Sequence, residues 1–153
     1  PGSLQVDAGP PPPAPTATPL PTAIPATAAP ATTANLVLGN VGLSPDIPFT
    51  CGQTVAITMD IANLGSAATT NGGSISIQDI HVASGQVTAS TSGAFGPINA
   101  GQTINVGGMF LTVTTYVGEQ HKLVVRVNPD GAVAETVSGD NNREWTYTLN
   151  AGC

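Results

Sequence analysis

Carboxylates and amides crowd into one stretch near the end of the chain, Val127-Asn128-Pro129-Asp130-Gly131-Ala132-Val133-Ala134-Glu135-Thr136-Val137-Ser138-Gly139-Asp140-Asn141-Asn142. Within it Asp130, Glu135, Asp140, Asn141 and Asn142 carry the oxygens that could hold a hard cation. Calcium takes six to eight oxygen ligands of this kind. The spacing does not follow the D-x-[DN]-x-[DN]-G order of a calcium-binding loop, and a connection this long can put the groups on opposite sides. The competing role is internal capping. Asp and Asn hydrogen-bond nearby amides in Asx turns, and a Glu can satisfy loop N–H groups. Capping is the role expected here, with calcium as the alternative and no other cofactor.

His81 and His121 are the two histidines, and neither stands in a metal-binding spacing such as H-x-x-x-H. There is no Gly-x-Ser-x-Gly elbow, phosphate-binding loop or dinucleotide fingerprint. Serine is common and nothing singles one out, so no catalytic residue is assigned and no enzyme activity is expected. His121 shares parity with Leu123 and Val125, which places it at the rim of a core. A structural role is expected for it and for His81, which lies where the apolar phase is uncertain.

These residues sit in a chain of 153 residues with 3 basic and 9 acidic side chains, a formal net charge of −6. Lys122, Arg126 and Arg143 are too few to neutralise nucleic-acid phosphates or to grip an anionic membrane surface. No apolar run approaches the ~20 residues of a membrane-spanning helix. No basic region followed by an apolar core opens the chain, so no signal peptide is read. The sequence begins without Met, and a piece excised from a longer protein is expected.

Composition divides the chain. Ten of its 14 prolines fall in residues 1–30, leaving Pro45, Pro48, Pro97 and Pro129. Residues Pro10 to Thr33 are Pro, Ala and Thr nearly throughout. Proline fixes φ and removes amide donors, so neither helix nor sheet is expected there. Residues 1–33 read as a disordered linker or stalk, in which 24 residues reach at most ~75 Å as polyproline II. Residues 34–153 read as one folded domain, since charge is 8% and apolar content 41%.

The positioning elements are short strands. Val55, Ile57, Met59 and Ile61 alternate with Ala56, Thr58, Asp60 and Ala62, the period of a strand with one buried face. Leu36 and Leu38 change phase to Val41 and Leu43 at Gly39, which predicts a bulge or a switch of sheet. Ile75 and Ile77 change phase to Ile80 and Val82 at Gln78-Asp79. Residues 86–90 form a weak polar strand of the kind a sheet edge tolerates. Phe95 and Ile98 anchor the following loop. Ile104 and Val106 shift at Gly107-Gly108 to Met109, Leu111 and Val113. Leu123, Val125 and Val127, then Trp145, Tyr147 and Leu149, complete the set, with Trp145 expected to supply the largest piece of core. About seven strands separated by Gly, Asn and Pro turns predict an all-β, two-sheet antiparallel sandwich. Between the last two strands, Val133 and Val137 are expected to tuck under the connection and cap the core.

If successive strands alternate in direction, Cys51 before the second and Cys153 after the seventh share one pole. A disulfide between them is expected. It would close a loop of roughly 100 residues, worth about 4.7 kcal/mol of chain entropy less strain. A buried free Cys51 with an exposed Cys153, or an intermolecular link through Cys153, are the alternatives.

Several segments in this order resemble the CARDB module, the cell-adhesion-related domain of bacteria and archaea. They are Asn35-Leu36-Val37, Cys51-Gly52-Gln53-Thr54-Val55, Ile61-Ala62-Asn63-Leu64-Gly65, Ile98-Asn99-Ala100-Gly101-Gln102-Thr103, and Val127 to Glu135 continuing to Asp140-Asn141-Asn142. The resemblance spans nearly the whole folded part. It implies an immunoglobulin-like sandwich in a secreted or surface protein, with an adhesive or spacer role and no catalytic residues. The segment around Gly139 lengthens the end loop, residues 83–97 depart from the pattern, and the two cysteines are not part of it.

The expected function is that of a non-catalytic extracellular or cell-surface module, adhesive or a spacer, in a larger bacterial protein. The alternative is an accessory domain of a secreted enzyme, binding carbohydrate or packing on the catalytic unit. The expected partners are neighbouring domains of the same chain and a protein or polysaccharide ligand that the residues do not identify. No nucleic acid is expected, and the module is expected to be a monomer.

Overall fold

The computed structural model describes residues 33–153. The stalk read for residues 1–33 lies outside them, save for Thr33. Alternating apolar residues set seven strands, because successive side chains of an extended chain point to opposite faces. They are β1 (Leu36–Ser44), β2 (Thr54–Asn63), β3 (Gly73–His81), β4 (Val87–Phe95), β5 (Thr103–Thr112), β6 (Gln120–Val127) and β7 (Asn142–Thr148). One sheet has the order β1-β2-β5 and the other β4-β3-β6-β7. All strand pairs are antiparallel. This is the sandwich that the strand spacing predicts.

The core lies between the sheets. Val55, Ile57, Met59 and Ile61 of β2 face Ile75 and Ile77 of β3 and Leu123, Val125 and Val127 of β6, each buried. The phase change at Gly39 is a bulge, with the β1–β2 register slipping between Leu38 and Val41. A second slip, between Ile57 and Met59 against β5, absorbs the Gly107-Gly108 pair. Phe95 and Ile98 are buried as anchors. Trp145 supplies less core than expected. It is half-buried and packs against the cluster, while Tyr147 two residues on is buried within it.

The phase change expected at Gln78-Asp79 does not occur. β3 keeps its alternation through to His81, so Asp79 and His81 point into the sandwich and Ile80 points away. The slip at this place is in the register with β4, between Asp79 and Ile80. His121, expected at the rim, is fully buried. The physical reason is that these polar groups satisfy one another, as described below. β4 is the polar edge strand that residues 86–90 suggested, though longer.

Alternating strand direction puts the connections at two poles. Residues 33–35 enter at the pole formed by the β2–β3, β4–β5 and β6–β7 loops. The chain leaves β7 at the opposite pole, beside the β1–β2 loop. There Cys51 N–H donates to Asn150 C=O at 2.9 Å, and Asn150 N–H donates to Phe49 C=O at 2.9 Å. Cys51 and Cys153 are joined at this pole, with Cα atoms 5.4 Å apart.

Candidate functional site

Turn chemistry shapes the β6–β7 loop. Asn128 takes φ 53° and Gly131 φ 68°, in the left-handed region that Asn and Gly tolerate best. The Asn128 Oδ1 accepts from Val133 N–H at 3.0 Å, and its Nδ2 donates to Val133 C=O at 2.8 Å. This pairing drops Val133 into the core, where it is 5% exposed. Val137 was expected beside it, yet it is 51% exposed. The loop is pinned at Glu135 and Asn141, and residues 136–139 between those points bulge into solvent.

Glu135 is the pin. Its Oε2 accepts from Leu36 N–H at 2.9 Å, and its Oε1 accepts from Asn128 Nδ2 at 2.5 Å and Asn141 Nδ2 at 2.7 Å. Thr136 N–H donates to Ala34 C=O at 3.2 Å, so the loop also pairs with the entering chain. Asn63 makes the matching knot from the other side. Its Oδ1 accepts from Asn35 N–H at 3.1 Å and Gly65 N–H at 3.0 Å. Its Nδ2 donates to Ala67 C=O at 2.8 Å and Ile98 C=O at 3.1 Å. A side chain at Gly65 would place its Cβ 2.3 Å from Thr33 C=O, so only glycine fits against the entering strand.

The five oxygen-bearing residues of the loop therefore separate. Asp130 is exposed and accepts from Ala132 N–H at 3.4 Å, an Asx-turn contact. Asn142 is exposed and donates to Gly139 C=O at 3.4 Å. Glu135 caps three donors. Asn141 stays with Glu135, to which its amide donates at 2.7 Å, and Asp140 meets Asn35, which sequence reasoning did not single out and whose amide lies 3.5 Å from Asp140 Oδ2. Among the described residues, no three His, Cys, Asp or Glu side chains come together to hold a metal. A cavity of about 170 Å³ beside the loop is lined by Arg126, Asn128, Ser138 and Asn141 among others, small for an organic ligand.

The second polar cluster lies inside the four-stranded sheet. Asp79 on β3 is fully buried. Its Oδ1 meets His121 Nδ1 of β6 at 2.6 Å and also accepts from the Thr88 hydroxyl of β4. Its Oδ2 accepts from the Tyr147 hydroxyl of β7 at 2.5 Å. One carboxylate thus ties all four strands together. His121 Nε2 faces Tyr116 C=O at 3.2 Å, so both ring nitrogens are engaged. Burial, and then the Asp79 carboxylate that its hydroxyl donates to, push the Tyr147 phenol well above its ordinary range.

Beside this cluster, Ser84 Oγ lies 2.8 Å from His81 Nδ1, and Glu119 Oε2 lies 2.8 Å from its Nε2. The order hydroxyl, imidazole, carboxylate is that of a nucleophile relay. The surroundings fit a hairpin instead. Ser84 Oγ also accepts from Gln86 N–H at 3.3 Å within the β3–β4 turn. The His81 ring is 4% exposed and stacked on Tyr116 at 3.9 Å between centroids. Ser84 itself is exposed, and neither of the two described cavities is lined by Ser84, His81 or Glu119.

Of the aromatic residues, Phe110 on β5 is 58% exposed, whereas Phe49, Phe95 and Tyr147 are buried. Tyr116 and Trp145 are half-buried. No ring pairs with Phe110 among the described residues.

No family model matches the chain, and no curated protein does either. Solved structures do share its fold. A domain of a putative cell surface protein from Methanosarcina acetivorans is 19% identical with a TM-score of 0.50, the match covering 76% of this chain and 92% of that one. The CARDB domain of a Pyrococcus furiosus protein, solved in complex with di-metal ions, is 11% identical with a TM-score of 0.51. That match covers 81% of this chain and 100% of the archaeal domain. At these identities the likeness is one of fold: the chain has the two-sheet antiparallel sandwich of a CARDB domain.

Proposed function

We propose that residues 34–153 are a non-catalytic extracellular module that spaces or joins parts of a larger secreted or surface protein, with residues 1–33 as its stalk. One arrangement carries this reading. The chain enters at one pole and leaves at the other, and both ends are fastened across the sandwich. At the entry, Glu135 and Asn63 hold Asn35 and Leu36. At the exit, Cys51 holds Cys153. A link loaded from both ends needs these two fastenings, and a free-standing catalytic domain does not. The disulfide suits an oxidising compartment, and the fold is that of a domain from a putative cell surface protein. Adhesion is the finer part of the proposal, and the residues name no ligand for it.

Antibody against the folded domain tests the location. It should label intact cells that carry the parent protein, and labelling only after permeabilisation would contradict the proposal.

Phe110 favours a second reading, an accessory domain packed on a neighbouring catalytic unit. It stands on the outer face of the three-stranded sheet, in register with Ala56, itself paired with Ser44, and could seat a partner domain. As a lone ring it does not make the stacking platform of a carbohydrate site.

A further inference from the structure

One cation of the domain has no acceptor. Lys122 pairs with Glu144 at 3.1 Å, and Arg143 donates to Leu38 C=O at 3.3 Å. Arg126 is exposed and enters no ion pair among the described residues. It stands on β6 in register with Ser76 of β3 and Asn142 of β7. Directly opposed residues share a face, so all three lie on the outer face of the four-stranded sheet.

Arg126 borders the cavity of about 170 Å³ beside the end loop, with Ser138 and Asn142 around it and Pro129 as an apolar wall. Ser138 is exposed, and the Asn142 amide is held loosely, by Gly139 C=O at 3.4 Å. The backbone beneath is fixed. Val127 N–H donates to Asn141 C=O at 2.8 Å, and Asn128 N–H to Ser74 C=O at 2.8 Å. The cavity is therefore formed before anything enters it.

A guanidinium presents a planar fork of donors that matches a carboxylate with two parallel hydrogen bonds. A phosphate fits the fork as well, but the chain carries a net charge of −6, and Asp130 and Asp140 stand in the same loop. Repulsion grows with the charge of the ligand, which favours a single carboxylate on an otherwise neutral molecule. The hydroxyl and amide groups beside the fork suit an occupant rich in hydroxyls. Extended peptides bind by adding to open strand edges, and this end of β7 is already covered by β1, where Leu38 N–H donates to Asp140 C=O at 3.1 Å. The volume is below that of a drug-sized site and suits one ring. We infer that Arg126, Ser138 and Asn142 form a subsite for a carboxylated sugar, one uronate unit of a sparsely charged polysaccharide. Such a subsite gives a ligand class to the adhesive part of the surface-module reading, on which it rests.

Galacturonate and galactose differ at one carbon, carboxylate against hydroxymethyl, and serve as probe and neutral twin. The whole chain is titrated with each, with a blocked glutamate (N-acetyl, C-amide) and with inorganic phosphate, while amide shifts are followed by NMR. A ligand of about 13 non-hydrogen atoms at ordinary efficiency has a Kd of about 1 mM. Galacturonate should saturate near that concentration, move the Ser138, Asn141 and Asn142 amides, and bind at least ~10-fold more tightly than the other three. Arg126→Ala should weaken it at least ~10-fold with an unchanged melting temperature. Lys122→Gln removes the same charge from the same face and should bind as wild type does. No saturable shift, equal binding of galactose, or undiminished binding by Arg126→Ala would overturn the inference. So would equal binding of the blocked glutamate, which assigns the site to a protein carboxylate, or tighter binding of phosphate. None of these results alters the surface labelling that tests the module's location, so the two fail separately.

Discussion

Asp79 Oδ1 lies 2.6 Å from His121 Nδ1, with both side chains wholly removed from solvent. Without Asp79 the His121 ring and the Tyr147 and Thr88 hydroxyls lose a buried hydrogen-bond partner. Asp79→Ala should therefore destabilise the fold by about 3–5 kcal/mol, at roughly 1–3 kcal/mol for each buried group left without its partner, read as a lower urea midpoint with an unchanged slope. A loss below ~1 kcal/mol would mean the pair does not hold the sheet.

Tyr147 predicts the alkaline behaviour. Its phenol is raised in the folded state, above the ~10 of an unfolded tyrosine. The folded protein therefore keeps this proton where the unfolded chain releases it. The associated stability is fully present below pH ~10 and falls above it, by up to ~1.4 kcal/mol per pH unit. Tyr147→Phe should flatten that decline relative to wild type while costing about 1.5–3 kcal/mol at neutral pH for the lost hydrogen bond. Unfolding series from pH 8 to 11 compare the two.

These two residues also show where sequence reading stops. Strands and bulges were legible because period two survives in Val55 to Ile61 and breaks openly at Gly39. Asp79 and His81 were not, because a charged residue reads as outward until its partners are known. The partners of Asp79, His121 and Tyr147, stand 42 and 68 residues away, and Glu119 stands 38 from His81. Asn63 and Glu135 lay inside the motif segments, but their work is to join loops distant in sequence. Asn35 likewise lay inside a motif segment, and its contacts with Asn63 and Asp140 arise only in the folded arrangement.

The entry knot is testable residue by residue. Asn63→Ala leaves two N–H and two C=O groups without their partner and should cost about 3 kcal/mol or more. Glu135→Gln keeps the shape but puts an NH₂ donor where one carboxylate oxygen accepts, so at least one of the three bonds is lost, and it should cost about 1–3 kcal/mol while speeding amide exchange at Leu36. Asp130→Asn, exposed in the same loop, should stay within ~0.5 kcal/mol. Chemical denaturation and hydrogen exchange distinguish them.

The disulfide spans 102 residues in sequence. Thiol titration of denatured, non-reduced protein should find no free thiol. The Cys51→Ser/Cys153→Ser protein should lose up to about 4.7 kcal/mol. Two titratable thiols would remove the exit fastening.

The spacer reading makes its most direct claim about force. Load entering at Ala34 runs along β1, which must shear past β2, and then passes through Cys51 directly to Cys153. Single-molecule pulling on the two ends of the folded domain tests this path. Oxidised protein should release no more than the Ala34–Cys51 stretch, at most ~60 Å of chain. Reduced protein should release the whole fold, roughly 400 Å. Full-length release from the oxidised protein would contradict the account.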